Sequence, residues 1–339
     1  MNLYGLTRTE LENYFENIGE KKFKALQVFE WLYQKRGEDI EEFSNIKKEI
    51  REKLKNDFTL YLPKLIKREI DTDTEKFLFE LQDGEKIEAV LMKHNYGNSV
   101  CVSSQVGCNM GCRFCESGRL KKVRNLETSE MVGQILAIEK ISGIKINSVV
   151  IMGIGEPLDN YDNVMKFILI INDAKGIQIG ARHITLSTCG LVPKIKELSD
   201  FPLQINLAIS LHAPNDRLRN LLMPISKAYK MEELMSSIKE YILKTNRRVT
   251  IEYIMLDNVN DKVSHAKELA NLLRGMNVYV NLIPYNETSH IEYKKSPNDR
   301  VMKFYDTLKR RGINVTVRRE FGGNIDAACG QLRANEVER

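Results

Sequence analysis

The sequence predicts an α/β protein whose larger part is an open or partial barrel, preceded by a small helical segment and a short β extension. Three observations predict this fold. From residue 99 onward, short apolar runs alternate with amphipathic helical stretches, which is typical of parallel strands joined by crossover helices. Residues 1–62 carry apolar side chains at helical spacing, and residues 66–95 contain short alternating runs. An open doubly wound sheet has the same strand–helix alternation, so the pattern leaves it as an alternative.

The alternating part contains six strand–helix units. Its predicted strands are residues 100–105, 148–152, 183–187, 204–210, 249–255, 278–283 and 314–317. Its predicted helices are residues 129–141, 163–171, 231–245, 264–274 and 299–310. In a barrel and in a doubly wound sheet alike, ligands bind at the carboxyl ends of the strands.

The first hundred residues read differently. Helices are predicted at residues 9–18, 22–35 and 46–56, with Phe29 and Trp31 anchoring a small core. Strand alternation follows in residues 76–81, with a turn at Asp83-Gly84. We therefore predict a helical accessory domain over residues 1–62, a β extension or linker over 63–98, and a barrel with a C-terminal segment over 99–339.

Composition restricts the class of protein. The chain has 339 residues, 42% hydrophobic and 29% charged, which is ordinary for a soluble globular protein. It has no apolar run of membrane-spanning length, and its first residues do not resemble a signal peptide. Six cysteines in a chain this long are not a disulfide framework, so we expect a reducing, cytoplasmic setting. The net charge of +5 permits a polyanionic partner without requiring one.

Three closely spaced cysteines follow the first predicted barrel strand. Cys108, Cys112 and Cys115 suggest a [4Fe–4S] cluster with one open iron, because four cysteines would close such a cluster. A structural zinc site is the alternative, but it usually requires four ligands and no second cysteine pair follows. The remaining cysteines, Cys101, Cys189 and Cys329, are single. Buried single cysteines are by themselves most often inert packing.

Polar and glycine residues follow several of the other predicted strands. The run Met152-Gly-Ile-Gly-Glu-Pro157 offers backbone close to a ligand at Gly155 and a carboxylate at Glu156. An ordinary glycine-rich turn after a strand would look the same. Further strand-end residues, each by itself more typical of a cap or turn than of a ligand, are Ser187, Ser210, Leu211, His212 and Asn286.

The cysteine spacing, with Phe114 before the last cysteine, resembles the radical S-adenosylmethionine (SAM) superfamily. The resemblance implies a partial (β/α)6 barrel and a SAM molecule bound to the open iron. It also implies that an electron from the cluster cleaves SAM to give a 5′-deoxyadenosyl radical. The Gly155-Glu156 pair resembles the superfamily motif for the SAM amino group. The cofactors supply the difficult chemistry, and the protein orients them.

Five further motifs resemble the RlmN/Cfr family of radical SAM RNA (adenine) methyltransferases. They are the runs at residues 101–108, 186–193, 208–216, 281–286 and 326–332. The family methylates an adenine in the peptidyl transferase centre of 23S rRNA. The RlmN branch acts at carbon 2 and also on an adenine in some tRNAs, whereas the Cfr branch acts at carbon 8 and gives antibiotic resistance. The resemblance assigns SAM contacts to Gly155, Glu156, Ser187, Ser210, Leu211, His212 and Asn286.

The resemblance also gives roles to two single cysteines. Cys329 matches the cysteine that accepts a methyl group from one SAM, and a radical from a second SAM then activates that methyl group. Cys101 matches the cysteine that releases the product by forming a disulfide, a step that needs a thiolate. Glu88 stands where the family has the base that removes the ring proton. Cys189 has no family role, and we interpret it as packing.

An RNA substrate implies particular partners. Basic residues that could neutralise phosphates lie beside the cysteines and in the N-terminal segment: Arg113, Arg119, Lys121, Lys122 and Arg124, and Lys21, Lys22, Lys24, Lys35 and Arg36. Solvated helix faces would carry the same charges. In the family, the N-terminal segment helps to hold RNA, and the target base must be unstacked. We further expect a monomer supplied with electrons by a flavodoxin or ferredoxin.

One position departs from the family pattern. Glu116 follows Cys115, where most family members have a small residue. Pro157 and the Ala-Pro-Asn-Asp run at residues 213–216 favour the RlmN branch, whereas Glu116 leaves a carbon-8 enzyme open. Two further alternatives are another radical SAM activity, such as a glycyl-radical activator, and a zinc-stabilised RNA-binding protein.

Overall fold

A ten-stranded sheet forms the centre of the molecule. The computed structural model describes residues 1–288, 290–318, 325, 327, 331 and 332. In this part of the chain the sheet contains, in spatial order, β1 (Lys64–Ile70), β2 (Thr74–Glu80), β3 (Lys86–His94), β4 (Gly97–Cys101), β7 (Ser148–Ile151), β8 (Ile184–Thr188), β9 (Asn206–Ser210), β10 (Val249–Met255), β11 (Val278–Pro284) and β12 (Val315–Val317). A separate pair joins β5 (Gln105–Val106) to β6 (Arg124–Asn125).

The strand order decides between the two predicted architectures. Strands β1 to β4 are antiparallel neighbours, and every pair from β4 to β12 is parallel. The order never reverses along the sheet, whereas a doubly wound sheet reverses at its switch point. Right-handed crossovers therefore place the helices on one face and leave the other face to line an interior. The prediction of a partial barrel is confirmed, and in the described chain β1 and β12 do not pair to close it.

The helices after β4 cover the outer face of the sheet. They are α4 (Thr128–Ser142), α5 (Tyr161–Asn172), α6 (Val192–Leu198), α7 (Asp216–Leu222), α8 (Met231–Thr245), α9 (Val263–Leu272) and α10 (Asn298–Arg310). The five predicted helices are present. Helices α6 and α7 were not predicted, because seven residues are too few to show a helical period.

The prediction of a strand over residues 100–105 was wrong at its end. Strand β4 stops at Cys101, because Ser103 and Gln105 form hydrogen bonds to other elements. The Ser103 hydroxyl donates to the Glu88 carbonyl oxygen over 2.6 Å, and its main-chain N–H donates to Gln134 Oε1 over 2.8 Å. The Gln105 amide nitrogen donates to Asn125 and to Asp159. The chain therefore leaves the sheet before it reaches the cysteines.

The N-terminal segment contains α1 (Arg8–Asn17), α2 (Phe23–Tyr33) and α3 (Lys48–Asp57), as the spacing predicts. Phe29 is fully buried, and the Trp31 ring stacks on Phe43 with 5.5 Å between centroids. Apolar residues of these helices share one cluster with the barrel. The domain boundary predicted after residue 62 falls between α3 and β1, and the boundary predicted after residue 98 falls inside β4. The division into domains stays a prediction. Among the described helices, each is too short or too polar to cross a membrane.

Candidate cofactor and active site

A cavity lies at the carboxyl ends of the parallel strands. Its space, with the open mouth included, is about 910 Å³. Cofactor sites commonly occupy roughly 300–1,000 Å³. Eight predicted site residues line it: Cys108, Cys112, Cys115, Gly155, Glu156, Ser187, Ser210 and His212. The cavity therefore brings together the cysteine loop and the ends of three separate strands, β7, β8 and β9.

The cysteine loop, residues 107–122, is wound tightly on itself. The Cys108 N–H donates to the Leu120 carbonyl oxygen over 3.1 Å, and the Cys115 N–H donates to the Cys112 carbonyl oxygen over 3.2 Å. Gly107 has a φ of +71°, and a Cβ at that position would lie 2.1 Å from the Lys121 carbonyl oxygen. A glycine is therefore required where the loop crosses itself.

The three thiols fit a positively charged metal group. Burial raises the pKa of Cys108 to about 12, and burial followed by the neighbouring Cys115 and Cys108 raises the pKa of Cys112 well above its usual value. Such thiols become thiolates only beside a cation. In the described part of the chain, no three His, Cys, Asp or Glu side chains converge on one ion. The thiolates that hold an iron–sulfur cluster lie farther apart than the ligands of a single ion. Cys108, Cys112 and Cys115 are thus the residues that would hold such a cluster.

Apolar side chains surround the cysteines. Phe114 points its ring edge at His212 with 4.8 Å between centroids, and it shares an apolar cluster with Leu222, Met223 and Ile254. These side chains exclude water from the inner end of the cavity. A dry environment strengthens the electrostatic interactions inside it.

Glu156 is held rigidly at the cavity wall. Its side chain accepts the N–H of Leu158 over 3.0 Å and the N–H of Cys189 over 2.8 Å, and its own N–H donates to Gln105 Oε1. Burial raises the pKa of this carboxyl. Neighbouring Gly155 has a φ of +108°, and a Cβ there would lie 2.6 Å from the Gln105 Cβ. The Thr188 and Cys189 side chains also form hydrogen bonds with this carboxyl, so a ligand amino group would replace one of these side-chain donors.

His212 is a buried, neutral imidazole. Its Nδ1 accepts the Ile254 N–H over 3.0 Å, which leaves Nε2 as the protonated nitrogen. Burial, followed by the charge of Arg219, lowers its pKa to about 3. Its φ of +57° is in the left-handed region. His212 therefore presents a neutral N–H donor at the cavity over the whole physiological pH range.

This arrangement predicts a pH-dependent stability. An unfolded histidine gains a proton near pH 6.5 and the buried His212 does not, so the stability is complete above that pH and is lost as the pH falls towards about 3. We expect His212→Asn, which tolerates a left-handed φ, to reduce the drop in unfolding free energy between pH 7 and pH 5 by about 2 kcal/mol. Urea unfolding at both pH values measures it, with the exposed His183→Asn as control. An unchanged drop in His212→Asn would contradict the assignment.

The other predicted SAM contacts are placed differently. Ser187 and Ser210 end neighbouring strands, with 3.4 Å between their hydroxyl oxygens. The Leu211 side chain is fully buried in the main core, away from the cavity lining. Asn286 lies two residues beyond β11, half-buried and outside the residues that line the cavity.

The predicted catalytic residues Cys101 and Glu88 lie on the inner face of the sheet. Cys101 pairs with Val90 and Glu88 pairs with Leu78, and paired or alternate residues share a face. Lys76 Nζ lies 3.6 Å from Glu88 Oε1, and both side chains are buried. Cys329 lies outside the described residues. Two described residues near it in sequence, Ala327 and Leu332, belong to the apolar cluster that contains Cys101.

Glu116 points into the protein. Its carboxylate is buried, with Arg119 Nη1 at 3.3 Å and His290 Nδ1 at 3.6 Å. Many of the predicted RNA-binding cations are engaged in ion pairs: Lys24 with Glu20, Arg36 with Glu139, Lys122 with Asp159, and Arg124 with both Asp83 and Glu130. Arg113, Arg119 and Lys121 are exposed near the cysteines.

Sequence reasoning missed two charged residues that line the cavity, Glu252 and Arg318, and a third, Arg219, that is buried nearby. Glu252 of β10 is buried and lines the cavity, and Asn281 Nδ2 donates to Glu252 Oε2 over 2.9 Å. Burial raises the pKa of Glu252. A single carboxylate inside the apolar run of residues 249–255 was the signal for it. Arg219 of α7 does not line the cavity but is buried against the main chain of Cys189, and it gave no signal because charged residues in a helix usually face solvent.

Comparison with known proteins gives the class of this cavity. The model of the radical SAM superfamily matches residues 102–273. The crystal structure of a radical SAM methyltransferase from Sphaerobacter thermophilus is 41% identical and covers 99% of this chain and 100% of that chain, with a TM-score of 0.93. The fold and the cavity therefore define a radical SAM enzyme.

The N-terminal segment and curated relatives define the family. The model described as "Ribosomal RNA large subunit methyltransferase N-terminal domain" matches residues 1–60. Proteins named "Probable dual-specificity RNA methyltransferase RlmN" are 54% identical in Enterococcus faecalis, over 100% of this chain and 97% of that protein, and 53% identical in Spiroplasma citri, over 98% and 97%. The chain belongs to the RlmN family of radical SAM RNA methyltransferases. The resemblance predicted from the motifs is confirmed, and the glycyl-radical and zinc-protein alternatives do not agree with this family.

Proposed function

We propose that this protein methylates carbon 2 of an adenine in the peptidyl transferase centre of 23S rRNA, and an adenine in tRNA, through a methylated cysteine. The observation that carries the proposal is the placement of Cys101 on the inner face of the sheet, in one cluster with Ala327 and Leu332. These two residues flank Cys329 in the sequence. The relatives' name, a dual-specificity RNA methyltransferase, supports both RNA substrates.

Carbon 2 is proposed over carbon 8 because the residues that favour the RlmN branch have structural roles in the segments that follow β7 and β9. Pro157 begins the short helical turn that Glu156 caps, and the fixed φ of proline suits that position. Asn215 caps α7 by accepting the Leu218 N–H, and Asp216 accepts the Met231 N–H. Glu116, the residue that left carbon 8 open, is buried and paired inside the protein.

When bound, the cluster and SAM supply a carbon-centred radical that removes a hydrogen atom. The chain's own residues carry the rest of the reaction. Glu156 and His212 would hold SAM at the cavity wall, the first as an acceptor and the second as a neutral donor. Ser187 and Ser210 would add hydroxyl contacts beside them. Leu211 can contribute only through its main chain, and Asn286 requires a ligand that reaches beyond β11.

The two cysteines divide covalent transfer between them. Cys329 would carry the methyl group taken from a first SAM, and its activation by a second SAM makes two SAM molecules per turnover. The activated carbon would add to the adenine ring; the adduct would give up one electron, for which the oxidised cluster is an acceptor, and Glu88 would take the ring proton. The Cys101 thiolate would then attack the Cys329 sulfur, the sulfur–carbon bond to the RNA would break with its electron pair on the carbon, and that carbon would take a proton to become the methyl group while a disulfide is left. A reductant must reopen that disulfide before the next turnover.

The setting follows from this substrate and chemistry. An adenine buried in rRNA must leave its stack to reach the cavity, and Arg113, Arg119 and Lys121 are placed to hold the surrounding phosphates. The reaction would take place in the cytoplasm on the enzyme as a monomer. A flavodoxin or ferredoxin would supply single electrons.

Expression in cells that lack their own enzyme tests the proposal. We expect mass spectrometry of isolated 23S rRNA and tRNA to show adenine methylated at carbon 2, and Cys112→Ala to leave it unmodified. A methyl group at carbon 8 would overturn the choice of branch, and an unmodified adenine would overturn the substrate. A colourless anaerobic preparation that contains stoichiometric zinc and no iron would overturn the chemistry altogether.

A further inference from the structure

Arg219 is a fully buried cation with unused hydrogen-bond donors. It lies on α7 with 0% of its surface exposed. Its Nη2 donates to the Cys189 carbonyl oxygen over 2.6 Å. Its Nε and Nη1 find no hydrogen-bond partner among the described residues. A buried N–H without a partner is costly, and a buried charge without a counter-charge costs more.

The surroundings of Arg219 are those of the cysteine loop. The Arg113 N–H donates to the Leu222 carbonyl oxygen over 2.9 Å, so the end of α7 is fastened to the loop. Leu222 and Met223 pack in the apolar cluster around Cys112, Phe114 and Cys115. The Arg219 charge also lies close enough to Cys112 to act on the pKa of that thiol in the opposite direction to its burial.

Among the described residues, no carboxylate forms an ion pair with Arg219. Asp216, on the same helix, acts on Arg219 only at a distance, and burial raises the pKa of the nearby Cys189 and Cys112 thiols, so neither supplies a counter-charge. A guanidinium remains protonated in proteins even when it is buried. The counter-charge must therefore come from something that binds beside Cys112. A cluster held by three thiolates is net negative, and it becomes more negative on reduction.

We propose that Arg219 is a positioning residue that stabilises the reduced state of the bound cluster and raises its reduction potential. The proposal rests on the cluster of the proposed function. One electron enters the cluster from a low-potential one-electron donor, and no bond forms or breaks in the protein. A fixed positive charge favours the state that has gained negative charge, and N–H donors near the sulfur atoms act in the same direction. The same guanidinium also fixes the main chain of Cys189, whose N–H holds Glu156.

If Arg219 had only a structural role, a different result would be expected. It would hold the Cys189 carbonyl oxygen and α7 in place, and its removal would loosen the fold or the cluster without changing the potential of clusters that remain. The two roles are separated by a redox titration that is followed by electron paramagnetic resonance. The titration uses the full-length, anaerobically reconstituted protein, with neither SAM nor RNA present.

Arg219→Met removes the charge and the donors, and Arg219→Lys keeps the charge. At a fixed potential we expect Arg219→Met to lower the ratio of reduced to oxidised cluster by about tenfold, which is about 59 mV for one electron. Arg219→Lys should stay close to the wild type. Arg247→Met is the matched control, because Arg247 also has a buried Nε without a partner in the described chain. It lies at the opposite, amino end of the strands, where Nη2 donates to Asn206.

Three results would overturn the proposal. The first is an Arg219→Met protein with full iron content and the wild-type potential. If Arg219→Met does not retain a cluster, Arg219→Gln replaces it as the uncharged variant. The second result is then an equal reduction potential for the clusters of Arg219→Gln and Arg219→Lys. The third is loss of the cluster in every Arg219 variant, Lys included, which assigns the residue to folding. A wild-type protein that never shows the signal of a [4Fe–4S] cluster would instead refute the proposed function.

Discussion

Replacing Cys101 by alanine is expected to leave the protein joined covalently to its RNA. In the proposed reaction the adenine is attached to the Cys329 sulfur through the transferred carbon, and only the Cys101 thiolate can release it. Turnover should fall by on the order of 10³-fold or more, as removal of a group in covalent catalysis commonly does. A denaturing gel of protein incubated with RNA, SAM and a reductant should show a band that nuclease treatment shifts back.

Two further variants make this result specific. Cys329→Ala should lose methylation to the same extent without the joined species, because the attachment point is gone. Cys189→Ser is the matched control, since it removes another buried thiol at the cavity but keeps the main-chain contacts of residue 189 and a side-chain donor to Glu156. Free RNA carrying a normal level of methyl groups after treatment with Cys101→Ala would remove Cys101 from the mechanism.

The substitution Gly118→Ala is expected to weaken the binding of the cluster by the cysteine loop. A Cβ at this position would lie 2.6 Å from the Cys112 carbonyl oxygen and 2.9 Å from the Cys112 nitrogen, so the backbone of a cluster ligand must move. Overpacking of this kind costs roughly 2 kcal/mol. If that cost falls on cluster binding, retention of iron weakens by about 30-fold. Iron and sulfide analysis of anaerobically purified Gly118→Ala measures the effect.

The control for this variant is another glycine-to-alanine change. At Gly180, φ is −59° and a Cβ would make only an ordinary 3.5 Å contact with the His183 ring, so Gly180→Ala should retain wild-type iron. Circular dichroism should show both variants folded, because the contacts of Gly118 are confined to the loop. Full iron content in Gly118→Ala would show that the loop adopts another conformation when a cluster is bound.

The fold was predictable wherever one physical pattern governs a long segment. The run at residues 249–255 is mostly apolar because parallel strands are buried on both faces, and the strand lies where the pattern predicts it. The end of β4 was not predictable in this way. Ser103 and Gln105 leave the sheet for partners on β3, α4 and β6, and such contacts between distant residues leave no local trace in the sequence.

The candidate site divides along the same line. The spacing of Cys108, Cys112 and Cys115 can be recognised in the sequence because a single loop holds all three residues. Glu252 belongs to the cavity, and Arg219 to the residues packed beside it, only because the fold buries them, and a helical arginine looks the same in sequence whether it faces solvent or the interior. The Glu116 carboxylate also points into the protein, and the position of Glu116 beside Cys115 in the sequence did not indicate this orientation.

The unclosed sheet has a consequence for the kind of molecule that can react. A nucleotide inside an RNA chain is tied to a neighbour on each side, so it has no end to pass through a ring. In a complete eight-stranded barrel, side chains fill the interior and only the rim is accessible. Here β12 does not pair with β1 within the described chain, so the sheet does not close around the interior. A base can enter an unclosed sheet from the side while the RNA strand that carries it remains outside.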